Sequence, residues 1–194
     1  MRIRLSALVI LYMSFSLCSF LSTAQLPVVT LTDSAKVSLL TCSQGDELYS
    51  IFGHSAIRVK DSSIGVDWVF NYGTFDFSDP NFYPNFVKGK LNYILSVSTY
   101  NNFEYTYIIE NRYIYEQPIN LTQQEKQILL DSLSINYLPQ NRYYLYDFLF
   151  DNCATRIRNI FVEAIPRTIV FNDSIYSESM NFRQLLMQIG RAHV

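Results

Sequence analysis

The sequence holds only two histidines, three cysteines, one tryptophan and six glycines. Cys42, His54 and Cys153 offer too few ligands, at the wrong spacing, for a closed zinc site. No closed metal site is expected. The glycines form no phosphate-cradling loop. A formal net charge of −2 leaves no basic field for nucleic acid. After the N-terminal apolar run no second long apolar run follows. Repeats and low-complexity linkers are absent as well. Ser50 and Ser55 flank His54, but neither sits on a nucleophile elbow. Asn120-Leu121-Thr122 matches a glycosylation acceptor, yet helix capping accounts for it.

What is present suits one globular domain. The 194 residues are 49% hydrophobic, enough to build a core and too few for two full domains. Aromatic residues reach 15%, with 15 Tyr and 14 Phe. That richness fits a β-rich core with Tyr hydroxyls at its rim, or a lipid-facing groove.

Residues 1–24 read as an export signal. Arg2 and Arg4 form a basic start, residues 5–21 are almost uniformly apolar, and Ser22-Thr23-Ala24 supplies small residues before Gln25. Cys18 follows Leu17, where a lipid-anchor signal needs a small residue. Loss of this segment takes the formal charge from −2 to −4, because it removes Arg2 and Arg4 and no acid. The exported chain then holds Cys42 and Cys153 only. In an oxidising compartment a disulfide between them is open. At the other end, a helical pattern over Asn181 to Met187 runs into an unrelated tail at 189–194. That tail reads as non-native, so His193 is given no function, and a C-terminally truncated domain over 25–188 is expected. His54 is then the one histidine native to the fold.

Element by element, residues 36–42 read as a strand and GDELYSIFG as a turn or single helical turn, punctuated by Gly45 and Gly53. SAIRVK alternates apolar and polar and signals a strand. Val66 to Gly73 is a second strand, paired antiparallel with it across DSSIG. Ser78-Asp79-Pro80 opens a helix to about Lys88, with Pro80 at the tolerated first position and Pro84 keeping it short. LNYILSVSTY and RYIYEQPI read as strands. Thr122 and Glu125 make a capping box for a helix ending near Tyr137. Arg142 to Phe150 is aromatic-rich. From Cys153 to Ala164, Ile157, Ile160, Phe161 and Ala164 recur at helical spacing, with Asp151 or Asn152 as cap. The expected class is α+β, an antiparallel sheet packed against helices.

Cys153 in DNCATRIR is the residue with chemistry to offer. A helix N-terminus stabilises a thiolate, and Arg156 one turn on adds positive field. The first unpaired N–H groups of the helix suit an oxyanion hole. The competing reading is a buried cysteine packed as a small hydrophobe. His54 in FGHSAIRV, at a strand start after Gly53, is the matching base. Its orienting partner is expected on the next strand, with Asn71 first and Asp67 second.

Four segments in order, LLTCSQGDELYSIFGHSAIRV, FNYGTFDF, EQPINLT and YDFLFDNCATRIR, resemble the N-terminal periplasmic domain of the lipoprotein N-acyltransferase family Lnb. The resemblance spans about Val37 to Ile165. It implies a permuted papain-like fold, similar to NlpC/P60-like and lecithin:retinol acyltransferase-like proteins, with histidine before cysteine. It implies Cys153 as nucleophile, His54 as base and Asn71 as orienter, with no metal or cofactor. The implied partners are a phospholipid acyl donor and a diacylated lipoprotein acceptor. Members continue into membrane-spanning segments, so membrane contact is expected through a further C-terminal part. Two alternatives stay open: an NlpC/P60-type peptidoglycan peptidase or amidase, and a non-catalytic envelope binding domain stapled by a Cys42–Cys153 disulfide.

Overall fold

The computed structural model describes residues 25–47, 50–75, 80–165, 167 and 169. The expected export segment, the cap at Ser78-Asp79, the Asn181–Met187 helix and the tail at 189–194 lie outside the described residues. Six strands, β1 (Lys36–Cys42), β2 (His54–Asp61), β3 (Val66–Thr74), β4 (Asn92–Thr99), β5 (Ile114–Pro118) and β6 (Tyr143–Leu145), form one sheet in the order β5-β1-β2-β3-β4-β6. Every neighbouring pair is antiparallel. Among the described residues four helices accompany it: α1 (Phe82–Val87), α2 (Tyr100–Ile109), α3 (Gln123–Tyr137) and α4 (Cys153–Ala164). The expected α+β class holds.

Side-chain alternation sorts the strands onto two covered faces. Val37, Ile57, Val59, Phe70 and Tyr72 face the larger core, with Leu129, Leu130 and Leu133 of α3 and Ile157, Ile160 and Ala164 of α4. Leu40, Cys42, Ala56 and Val69 face the other way, under Phe103 and Tyr107 of α2. On that second face the Arg58 guanidinium makes two 2.7 Å bonds to Asp67 and one of 2.9 Å to Glu116, with Tyr100 stacked 3.4 Å away. A buried charge stays ionised only when paired in this way.

The helix starts follow from their caps. Thr122 accepts from the Glu125 N–H while Glu125 accepts from the Thr122 N–H, so the expected capping box is present. Asn152 plays the same part for α4: its Oδ1 accepts from the Thr155 N–H at 3.0 Å, and Thr155 Oγ1 accepts from the Asn152 N–H at 2.8 Å. That fixes Cys153 as the first residue of α4. Phe148 in the preceding loop packs edge-on against Phe52, ring centres 4.7 Å apart, and ties that loop to the chain entering β2. Two elements were unanticipated, α2 and the three-residue β6.

Candidate active site

The β2–β3 register pairs Ile57 with Phe70. Continued toward the start of β2, it sets His54 opposite Gly73 and diagonal to Asn71. His54 Nε2 lies 2.7 Å from Asn71 Oδ1. The same Oδ1 accepts the Gly73 backbone N–H at 2.7 Å. Because an amide N–H can only donate, the Asn71 atom facing it is the oxygen. His54 Nε2 must then carry a proton to make its own bond, which leaves Nδ1 as the basic nitrogen.

Cys153 arrives from α4, on the larger-core side of the sheet, and meets His54 at the sheet end. Its thiol hydrogen-bonds the imidazole and also receives the backbone N–H groups of Ser55 and Ala154. Burial opposes a charge on this sulfur. The adjacent imidazole and these hydrogen bonds outweigh it and hold the thiol below its ordinary pKa. For His54, burial again opposes the charge. The Cys153 sulfur and the Asn71 bond outweigh it and raise the imidazole. The two shifts have one cause, a thiolate–imidazolium pair stabilising itself.

A cavity of about 300 Å³ opens over the pair. The phenols of Tyr93 and Tyr146 line one side, stacked with ring centres 4.2 Å apart. Phe75 packs edge-on against Tyr93 at 5.0 Å. The other side is polar, built by Thr106 and Glu110 of α2 and its C-cap and by Arg112.

Cys153, His54 and Asn71 thus come together, while other expected residues do not. Asp67 is engaged by Arg58, away from His54. Arg156 forms a two-pronged ion pair with Asp151 and lies 4.4 Å from the Tyr144 ring, so its charge is spent there. The oxyanion expectation narrows. The Thr155 N–H is held by Asn152 and the Ala154 N–H by the sulfur, which leaves the Cys153 N–H itself. The disulfide is overturned: both thiols are free, Cys42 fully buried beneath α2 beside Tyr107. Burial pushes the Cys42 thiol up to about 12, the behaviour of a packing residue.

Gly73 was not anticipated as a site residue. A Cβ there would stand 2.2 Å from His54 Cε1, so only glycine lets the ring lie flat against β3. Its signal was in FNYG, two places after the orienting asparagine. Tyr93, Glu110 and Arg112 had no signal, since distant segments bring them to the cavity.

Fold and site define a class: an α+β domain with a free cysteine opening a helix, bonded to a histidine that an asparagine holds in one tautomer. The chain belongs to the Lnb N-terminal periplasmic domain family, which matches residues 29–186. The family is associated with lipoprotein N-acylation, and its description places this domain in the periplasm. No curated protein and no solved structure matches the chain.

Proposed function

We propose that the domain is the catalytic part of a lipoprotein N-acyltransferase, a permuted papain-like thiol enzyme acting at the periplasmic membrane surface. The observation that carries this reading is the hydrogen-bonded Cys153–His54–Asn71 chain at the base of a cavity. Membership of the Lnb family supports a lipoprotein substrate.

His54 Nδ1 takes the Cys153 proton, and the thiolate attacks an ester carbonyl of a phospholipid. The carbon–oxygen bond breaks, lysophospholipid leaves with the proton from His54, and the acyl chain stays on Cys153 as a thioester. The oxyanion formed on the way faces the Cys153 backbone N–H at the positive end of α4. The α-amine of a diacylated lipoprotein then attacks the thioester. A carbon–nitrogen bond forms as the carbon–sulfur bond breaks, and the product is triacylated. Asn71 keeps the base nitrogen turned to the sulfur throughout. A cavity of about 300 Å³ is at the small end for ligand sites. It suits the ester end of the donor, with the rest of the chain lying outside.

The test is transfer from phospholipid vesicles to a synthetic diacylglyceryl-cysteinyl peptide. Mass spectrometry of the peptide reads the product. The expected result is an N-acylated peptide with the wild-type protein and none with Cys153→Ala. Equal product from both proteins would remove the thiol from the reaction.

A further inference from the structure

The two sides of the cavity differ in chemistry, and the polar side contains a charge with one oxygen to spare. Glu110 is the C-cap of α2, its side chain 44% exposed. Its Oε2 takes the Arg112 Nη1 at 2.6 Å. Among the described residues Oε1 has no hydrogen-bond partner. Arg112 is in the opposite condition. Its side chain is 9% exposed, its Nε and Nη2 both donate to the Ser43 carbonyl at 3.0 and 2.6 Å, and its plane lies 4.5 Å from the Tyr107 ring. Both side chains line the cavity, but the Arg112 donors are taken by Ser43 and Glu110, while one Glu110 oxygen is left over. The last turn of α2 supplies Thr106 and Tyr107, and its C-cap Glu110, to the same cavity. A helix C-terminus carries partial negative charge, which favours a cation there. Cys153 sits at the positive end of α4. The cavity thus has an anion-stabilising end at the thiol and a cation-stabilising end at Glu110.

We propose that Glu110 is the acceptor subsite: its free carboxylate oxygen binds the primary ammonium of the incoming substrate and holds it beside the acyl-thioester. This rests on the acyltransferase reading of Cys153. The arrangement selects an amine over water or an alcohol, because only the protonated amine gains from the carboxylate. In the transfer step the ammonium gives up two protons as it becomes an amide. One ends on the Cys153–His54 pair, which regains its resting proton count, and one passes to solvent. The carbon–nitrogen bond forms and the carbon–sulfur bond breaks, with no other reactant. Arg112 positions Glu110 and does not touch the substrate.

The experiment follows the fate of acyl-Cys153 by intact mass after loading from phospholipid vesicles. The loaded protein is split between the diacylglyceryl-cysteinyl peptide and hydroxylamine, which is uncharged at pH 7. Glu110→Gln lowers the ratio of peptide aminolysis to hydroxylamine cleavage at least 10-fold, through KM for the peptide, and Glu110→Asp recovers part of it. Thermal unfolding of both variants reports folding. A ratio within 2-fold of wild type in folded Glu110→Gln overturns the subsite and leaves the acyltransferase reading standing. Absence of any hydroxylamine-labile adduct on the wild-type protein overturns that reading, and this one with it.

Discussion

Replacing Gly73 by alanine adds one methyl group directly opposite the candidate base. The new Cβ would meet His54 Cε1 at 2.2 Å and both ring nitrogens at 2.9 Å. Carbon atoms come to rest at about 3.5–4.0 Å, so the ring must retreat by about 1.3 Å or more. Gly73 lies where the β3–β4 register shifts, and its N–H is tied to Asn71 Oδ1 at 2.7 Å, so its backbone can retreat only by disturbing the bond that also orients His54. The bond from His54 Nε2 to Asn71 Oδ1 is 2.7 Å long and has no room for such a shift. Displacement of a reacting group by about 1 Å costs on the order of 100-fold in rate. Gly73 is not among the glycines with positive φ, so alanine fits its backbone and the fold should survive. The assay is the rate of Cys153 alkylation by iodoacetamide against pH, beside acyl transfer to the peptide. Gly73→Ala should lose roughly 100-fold in transfer, and its alkylation profile should move toward that of an ordinary thiol. A folded Gly73→Ala protein with an unshifted profile and near-wild-type transfer would refute the placement of His54 against β3.

Further outcomes follow from the same geometry. Cys153 is held below, and His54 above, its ordinary pKa, each by the other's charge, which favours the ion pair over the neutral pair. Transfer should fall as pH drops through the lowered thiol pKa and again as it rises through the raised imidazole pKa, a bell that kcat/KM against pH reads directly. His54→Ala removes the largest cause of the lowering and leaves only the Ser55 and Ala154 N–H groups, so alkylation at pH 7 should slow and recover in alkali. Of Cys42 and Cys153, only Cys153 should label in the native protein, with Cys42 reacting after denaturation, because its thiol is buried and pushed up to about 12. Asn152→Ala removes the cap of α4 and should lower stability by about 1 kcal/mol in denaturant melts. Arg58→Ala leaves Asp67 and Glu116 without their shared cation. Those carboxylates are about one-third exposed, so the loss should be about 2 kcal/mol, below that of a fully buried pair.

Much of the sheet was readable because its strands carry ordinary signals. SAIRVK alternates, DSSIG turns, and the β2–β3 pairing that joins His54 to Asn71 follows from those two features. The Thr122–Glu125 box marked the start of α3 to the residue, and Asp151 or Asn152 marked that of α4 to within one, the structure choosing Asn152. Helix α2 was invisible for a physical reason. YNNFEYTYII is rich in aromatic and β-branched residues that read as strand. Its apolar residues also fall on both sides: Phe103 and Tyr107 are buried while Tyr105, Ile108 and Ile109 are exposed. Tertiary packing against Val69 and Cys42 stabilises it instead. The polar wall of the cavity went unseen with it, because Glu110 and Thr106 depend on α2 existing. Arg156 misled for a related reason: helical spacing placed it near the thiol, but only the folded loop shows that Asp151 takes its charge. Asp67 was an equally good orienter by type, and register alone gave it to Arg58.

The most direct test of the central claim is the intact mass of the protein after incubation with phospholipid vesicles. The account predicts an adduct of one fatty-acyl chain that maps to Cys153, is released by hydroxylamine and is absent from Cys153→Ala. An unmodified mass, with Cys153 still alkylated rapidly at neutral pH, would contradict the acyl-thioester and leave a reactive thiol whose substrate is not a lipid ester.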